Sequence, residues 1–485
     1  MTPFQATLSA VTPQLAVEAA LARHWDVVVI GGGNAGLVSA MTARDRGARV
    51  LLLERAEPVF RGGNSRHTRN IRCVHDGSDS WNTGPYRYDE LWKDLCGVGQ
   101  GPSDEELAAM TVAESESVPA WMLAHGARFQ PALTGTLHLG RTNTFFLGGG
   151  KALVNAYHRR AAREGIHVLY EACVTRLLFD GPRCSGLTVE TGGARYRVAA
   201  TSVVCAAGGF EANIEWLSRY WGPAALNYHI RGPRYNDGTV LRQLLDAGAA
   251  TAGEERGFHS VAVDARSPRF DGGIATRLDS IPFGIVVNNR CERFYDEGED
   301  IWPKRYAIWG GNIAVQPDQI AYCLWDHKVQ GRFLPPMYGV TTSDTIDGVA
   351  TALGIDPVRA AATVEEYNRC APAGGAARFD PSRLDGVATK GLPIPKSNWA
   401  QRLDTPPYHG IAMRPGITFT YLGVRVDADA RVRRVGGGAF ANVFAAGEIM
   451  SGNILSTGYL AGFGMTIGTV WGRIAGREAA RHADR

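Results

Sequence analysis

Two groups of residues in this 485-residue chain have the types and spacing to do chemistry. The first is Gly31-x-Gly33-x-x-Gly36, which follows the apolar run Val27 to Ile30, opens a helical stretch reaching Arg46, and leads to a second apolar run, Val50 to Leu53, closed by Glu54. Glycines there allow a tight turn and close backbone approach to a pyrophosphate. The unpaired N–H groups and positive dipole of the helix start attract that anion, and Glu54, 18 residues beyond Gly36, can accept from ribose hydroxyls. The second group is the loop "RGGNSRHTRNIR" at 61–72, which crowds Arg61, Arg66, Arg69, Arg72 and His67 together in a chain whose formal net charge is only +3. Such guanidinium groups repel one another unless an anion sits nearby or they splay into water.

The elements that must position these groups read as an α/β fold. The strand, glycine turn and helix at 26–46 form a Rossmann-like nucleotide unit. Near the other end, "NVFAAGEIMSGNILSTGYLAGFGMTIGTVWGRIAGREAA" supplies a second strand, Gly447-Glu448, a glycine-rich loop and a small-residue helix from about Gly462 to Ala480. A chain that returns to such a unit after 400 residues suits a cofactor long enough to be held at two places. Between the ends, "ARYRVAATSVVCAAGGFEAN" predicts a strand ending in a glycine turn. "YNDGTVLRQLLDAGA" predicts a capped amphipathic helix, and "TSDTIDGVATALGIDPVRAAATVEEYNRC" predicts two helices broken at Gly354 to Pro357. The Pro-rich "GLPIPKSNWAQRLDTPPYHG" reads as a return linker. The expected partition is an N-terminal extension at 1–23, a first part of the nucleotide-binding domain at 24–254, an inserted α+β capping domain at 255–404, and the second part at 405–485.

Composition removes several function classes. Apolar residues at 45% and charged residues at 20% describe an ordinary globular protein, and the scattered basic residues offer no face for nucleic acid. The runs Gly31 to Gly33, Gly148 to Gly150 and Gly208-Gly209 suggest close backbone approach to a ligand. No two of the eight cysteines form a CxxC, which gives no support for an iron–sulfur cluster, a structural zinc or a disulfide framework. The first 24 residues lack the basic start and continuous apolar core of a signal peptide, and no run of 18 apolar residues predicts a membrane span.

Taken in order, "GGNS" at 62–65, "VVCAAGGF" at 203–210, "YNDG" at 235–238, "NNRCERFYDE" at 288–297 and "FAAGE" at 444–448 join the first glycine motif in a resemblance. The chain resembles the flavoprotein family of fumarate reductases, succinate dehydrogenases and 3-ketosteroid dehydrogenases, over about residues 24–480. Within it, "RGGNSRHTRNIR", "LHLGRTNTFFLGGGKALVNAY" and "FYDEGEDIWPKRYAIWG" look most like the FAD-dependent tricarballylate dehydrogenases, and a flavoprotein module of some precorrin-3B synthases is similar too. The resemblance implies a glutathione-reductase-like FAD-binding domain interrupted by a cap, with the active site between them. It implies cofactor contacts at Gly31, Gly33, Asn34, Ala35, Gly36, Glu54 and Arg55, in the loop Gly62, Gly63, Asn64 and Ser65, at Val174 beside Cys173, at Ala206, Gly208 and Asp237, and at Gly447, Glu448 and Leu460. Two departures stand out. The substrate His of fumarate reductases has no counterpart in "TFTYL" at 418–422, and their substrate Arg is replaced by Tyr459, so a fumarate-type site is not expected. His67 lies three residues past the place of the covalent His of succinate dehydrogenases, and noncovalent FAD is expected.

Oxidising a saturated acid to an alkene moves a hydride to the flavin and a proton to a base. The α-proton is acidic only while cations hold the neighbouring carboxylate, and Arg suits that task because its fork binds carboxylate twice and stays charged. Arg69 and Arg72 either hold substrate carboxylates or belong to a solvated or ion-paired loop. Arg141, just before Gly148 to Gly150, is a candidate substrate contact, Arg305 beside Lys304 a candidate proton carrier, and Tyr459 a candidate for orienting a carboxylate or passing a proton. His67 and His138 are candidate bases. The resulting expectation is an FAD-dependent dehydrogenase converting tricarballylate to cis-aconitate. Alternatives are a flavin desaturase for a neutral substrate such as a 3-ketosteroid, and an electron-transfer flavin module. The resemblance further implies a separate membrane-associated iron–sulfur or haem acceptor, and a cytoplasmic protein visiting the inner membrane face.

Overall fold

A computed structural model describes residues 16–484 apart from 100, 102, 133–138, 374–379 and 381–382; most of the expected N-terminal extension and His138 lie outside the described residues. The strand Trp25–Ile30, whose apolar run Val27 to Ile30 is fully buried, lies inside a six-stranded sheet between two largely apolar neighbours. Val27 pairs with Val50, and Ile30 lies beside Leu53 on one side and Cys205 on the other, all in parallel register. Strand order runs Arg431–Arg433, Ala439–Ala445, Ala200–Cys205, Trp25–Ile30, Val50–Leu53, His167–Leu169, so the strands that sequence patterning assigned to opposite ends of the chain share one sheet, with Ala200–Cys205 between them. The edge strand Arg431–Arg433 is antiparallel to its neighbour.

Two helices cross this sheet with their N-termini on the same side. Helix Asn34–Asp45 starts at Gly33, and helix Phe463–Ala483 starts at Gly462, whose φ of 83° is a left-handed value suited to glycine. The helices lie against each other through Gly468, Gly472 and Gly476, one residue per turn on a single face. A Cβ at Gly472 would sit 2.8 Å from Ala35 O, and one at Gly476 would sit 2.3 Å from Ser39 O. A separate antiparallel sheet of Cys173–Asp180, Arg183–Thr191 and Ala194–Val198 flanks the nucleotide unit.

The capping part is built on the 13-residue strand Tyr408–Thr420. It pairs with Phe258–Asp264, Ala321–Asp326 and Thr341–Ser343 in antiparallel fashion and with His229-Ile230 in parallel. Helices Ile346–Leu353 and Pro357–Cys370 cover one face, broken at Gly354 as the sequence predicts. The long strand carries Thr418 and Thr420 from the cap sheet to the nucleotide domain, where Thr420 N meets Glu448 Oε1 at 3.0 Å. Among the described residues no helix is long and apolar enough to cross a membrane.

Gly148 to Gly150 do not line the cleft between the nucleotide unit and the cap. Gly148, at φ 78°, caps helix Gly149–Arg163, and a Cβ on Gly150 would stand 2.0 Å from Ser65 O. The run therefore lets this helix press against the arginine loop from behind.

Candidate active site

A cleft of about 1600 Å³, counting its solvent-open part, runs between the nucleotide domain and the cap. Its floor is backbone. At Gly31, φ 107°, a Cβ would lie 2.3 Å from Ala206 O, and at Gly208, φ 77°, it would strike Asn236. Both helix N-termini described above open onto it through Asn34 and Gly462. Asn34 N donates to Ser65 Oγ at 3.0 Å, while Asn34 Oδ1 is buried without a partner.

Glu54 points back at the turn, where Oε2 accepts from Gly32 N (3.1 Å) and Gly62 N (3.3 Å), and Oε1 accepts from Ala56 N (2.8 Å). Burial raises the proton affinity of this carboxyl against those backbone donors. Nearby, Arg55 and Asp237 pair at 2.6 Å, with Cys173 and Val174 on the same stretch of wall. Of the residues expected to hold the cofactor, Gly36, Gly62 and Leu460 do not line the cleft. Gly36 seats its helix on Gly31 O, Gly62 at φ 105° packs on Val154, and Leu460 is core.

A second group of residues forms a cationic chamber. Arg69, Arg231 and Arg277 all line the cleft, with His259, Tyr306 and Tyr459 between them. Arg231 is pinned by Nη1 on Thr418 Oγ1 (2.8 Å) and Nε on Gly273 O (3.2 Å). Arg277 Nη2 meets Asp279 Oδ2 at 2.8 Å, and Asp279 is in turn fixed by Trp302 Nε1 at 2.8 Å. Arg69 Nε is buried with no partner. Burial first, and then the like charge of Arg277, pulls Arg69 down to about 9 and Arg231 to about 10. Burial pushes Arg277 the same way, but Asp279 and Tyr306 outweigh it and leave it raised.

His259 stacks on Tyr459 at 4.0 Å between ring centroids and meets Tyr306 edge-on at 5.7 Å. Both its nitrogens lack partners, and burial, then Arg231 and Arg277, hold it neutral far below the usual imidazole range. His67 also reaches the cleft, pairing with Asp271 at 2.9 Å; burial lowers it more than Asp271 raises it.

Three expected catalytic residues stand elsewhere. Arg141 grips Glu90 with both guanidinium ends and donates to Pro85 O, half-exposed and off the cleft wall. Arg305 pairs with Glu299 at 2.7 Å. Arg72 is buried behind the wall, donating to Ala461 O (3.0 Å) and to Tyr86 OH (2.8 Å), which itself donates to Asp94. Sequence reading missed Arg231, Arg277, His259, Asp279 and Tyr306. The segments of the first four, "HIRGPRY", "GFHSV" and "IATRLDS", carry no periodicity that marks a site, and only Arg277 beside Asp279 offered a local charge pair; Tyr306 lies in "DIWPKRYAIWG", where attention fell on its neighbours Lys304 and Arg305.

A model of an FAD binding domain matches residues 26–464. The chain belongs to this family of FAD-binding flavoproteins, that of the fumarate reductases and succinate dehydrogenases. It is 26% identical to the NADH:fumarate oxidoreductase of Klebsiella pneumoniae over 95% of its own length, and it spans about half (48%) of that protein. Among solved structures it is similar to the open conformation of a flavocytochrome c3 fumarate reductase, with a TM-score of 0.76 at 21% identity over 100% of this chain and 82% of that one. It is also similar to the 3-ketosteroid-Δ4-(5α)-dehydrogenase of Rhodococcus jostii RHA1, with a TM-score of 0.72 at 21% identity over 97% and 99% of the two chains. Both structures share the fold of an FAD-binding domain with a cap. FAD is the cofactor of this flavin-dependent oxidoreductase family, and the cleft fits it: a glycine floor no side chain could enter, two helix N-termini for pyrophosphate, and the unpartnered Asn34 Oδ1.

Proposed function

We propose that the protein dehydrogenates the CH–CH bond of a compact polycarboxylate, with tricarballylate going to cis-aconitate as the specific reaction. The observation that carries this reading is the chamber of Arg69, Arg231 and Arg277, whose three guanidinium ends are buried and face one carboxylate among the described residues, Asp279. An excess of two positive charges on buried guanidiniums is costly unless an anion completes it. A substrate with several carboxylates does so. A 3-ketosteroid is neutral and would leave the guanidiniums unpaired, which argues against that alternative despite the shared fold. The cap over the cleft likewise argues against an open electron-transfer module.

In this reading Arg231, fixed through Thr418 and Gly273, and Arg277, fixed through Asp279 and Trp302, hold two carboxylates in a set orientation. Arg69, with its free Nε, holds a third or polarises the one next to the reacting carbon. Bound FAD supplies the hydride acceptor. His259 is uncharged with both nitrogens free, so it can hydrogen-bond the substrate while Tyr459 and Tyr306 fix the ring plane. His67 steadies the cap loop through Asp271, and Arg72 positions Ala461 on the wall. The proposal extends to a separate membrane-associated iron–sulfur or haem acceptor for the electrons, met by a cytoplasmic protein at the inner membrane face.

Anaerobic mixing of FAD-loaded protein with tricarballylate, succinate, citrate and a 3-ketosteroid, following loss of the oxidised flavin band, tests this directly. Rapid bleaching by tricarballylate alone is the expected result. Bleaching by the steroid, or by none of the acids, overturns it.

A further inference from the structure

Where the strand Tyr408–Thr420 meets the cleft wall, two carboxyl groups are buried together. Glu448 lines the cleft and Glu211 is fully buried behind it, and the two carboxyls meet around Gly209, where a Cβ would stand 2.4 Å from Glu448 Oε1 and 2.9 Å from Glu211 Oε2. Their other partners are neutral. Asn64 Nδ2 lies 2.7 Å from Glu211 Oε1 and 3.1 Å from Glu448 Oε2, Asn236 Nδ2 donates to Glu211 Oε1 at 2.7 Å, and Thr420 N donates to Glu448 Oε1 at 3.0 Å. Glu211 Oε2 is buried with no hydrogen-bond partner.

Among the described residues no cation donates to either group. Arg231 reaches the same strand, but its donors go to Thr418 Oγ1 and Gly273 O, and Tyr459 is the other titratable group in electrostatic reach of Glu448. Two carboxylates in contact, dry and without a counter-ion, cannot both ionise. A single proton between them removes the repulsion and supplies the missing donor to Glu211 Oε2.

We infer that Glu211 and Glu448 share one proton at neutral pH, and that this proton, held at the wall of the FAD cleft, couples flavin reduction to proton uptake. When the pair is deprotonated at alkaline pH, two electrons entering the flavin add negative charge beside it. The pair then takes one proton from solvent, so that charge within the wall stays balanced. The inference rests on the FAD cofactor and not on the identity of the substrate.

The test uses the FAD-loaded full chain and needs no substrate. At pH 7 ordinary surface carboxylates are ionised, so infrared spectra should show a protonated-carboxyl C=O band that shifts in D2O and loses one component in Glu211→Gln, where the amide donates to an ionised Glu448. Potentiometric titration with dithionite and mediators between pH 6 and 10 should show an alkaline interval in which the wild-type midpoint falls more steeply than that of E211Q. The expected difference is one proton per two electrons, or about 30 mV per tenfold change in proton concentration. If E211Q loses FAD, Glu448→Gln serves for the infrared arm, and the wild-type potentials alone must still show the steeper interval. Identical carboxyl bands in wild type and variant, or a wild-type midpoint with no such interval, overturns the inference.

Discussion

A guanidinium buried beside others of its own sign is held there by folding at a cost, and Arg231 is the plainest case: it is 5% exposed, and its hydrogen-bond partners among the described residues are a hydroxyl and a carbonyl. If it binds a substrate carboxylate, Arg231→Gln removes a charge-assisted contact of about 1.5–3 kcal/mol, a fall of roughly 10- to 100-fold in kcat/KM for tricarballylate with FAD content unchanged. Arg141→Gln breaks an exposed pair with Glu90 and should leave kcat/KM within about threefold, since such pairs contribute roughly 0–1 kcal/mol. Steady-state rates of the two variants, with bound flavin measured in each, check both. The contrast also marks what was legible at this scale. Arg69 stood out because the loop 61–72 is dense in charge, and Arg141 stood out by its place in a motif, yet only Arg69 reaches the cleft. Arg231, Arg277 and His259 arrive from three separate segments, and no local pattern records that the strand Tyr408–Thr420 and its neighbours draw them together.

The elements were more readable than the side chains they carry. Glycine turn, helix and acidic strand end follow one another within 30 residues and obey local backbone rules, so both nucleotide-binding units could be placed from sequence alone. The packing between them could not. Gly468, Gly472 and Gly476 read as a small-residue helix, and only the structure shows that this stripe is the contact by which helix Phe463–Ala483 sets the height of helix Asn34–Asp45. A valine at Gly472 would push its Cβ to 2.8 Å from Ala35 O and 2.9 Å from Val38 Cβ. Gly472→Val should therefore destabilise the fold by about 1–3 kcal/mol through overpacking. Because Ala35 belongs to the first turn facing the cleft, FAD affinity should fall with it. Denaturant unfolding and a flavin-binding titration on the same variant measure both effects; weakened folding with unaltered FAD affinity would show that the helix contact does not govern the cofactor cradle.

Across the whole molecule, burial acts on acids and imidazoles in opposite senses, and the pH dependence of stability records the balance. Glu54, Glu211 and Glu448 are raised by burial, so the folded state keeps protons that the unfolded chain releases, and they favour folding as pH falls toward 4.5. Buried histidines do the reverse. His158, on helix Gly149–Arg163, is 7% exposed, hydrogen-bonded to Tyr170 OH at 3.1 Å, and pushed down to about 3 by burial and then by Arg61. Between about 3 and 6.5 the unfolded chain binds a proton at this position that the folded protein refuses. The stability His158 contributes is therefore complete above pH 6.5 and is lost as pH falls, at up to about 1.4 kcal/mol per pH unit. Comparing wild type with His158→Phe cancels the acids, which are common to both. Unfolding free energies from pH 5 to 7.5 at saturating FAD should then fall less steeply below 6.5 in the variant, by about that slope, while the two curves run parallel above it. Parallel curves throughout would mean that His158 is protonated in the folded protein, and that its burial against Tyr170 is compensated by a partner other than solvent exclusion.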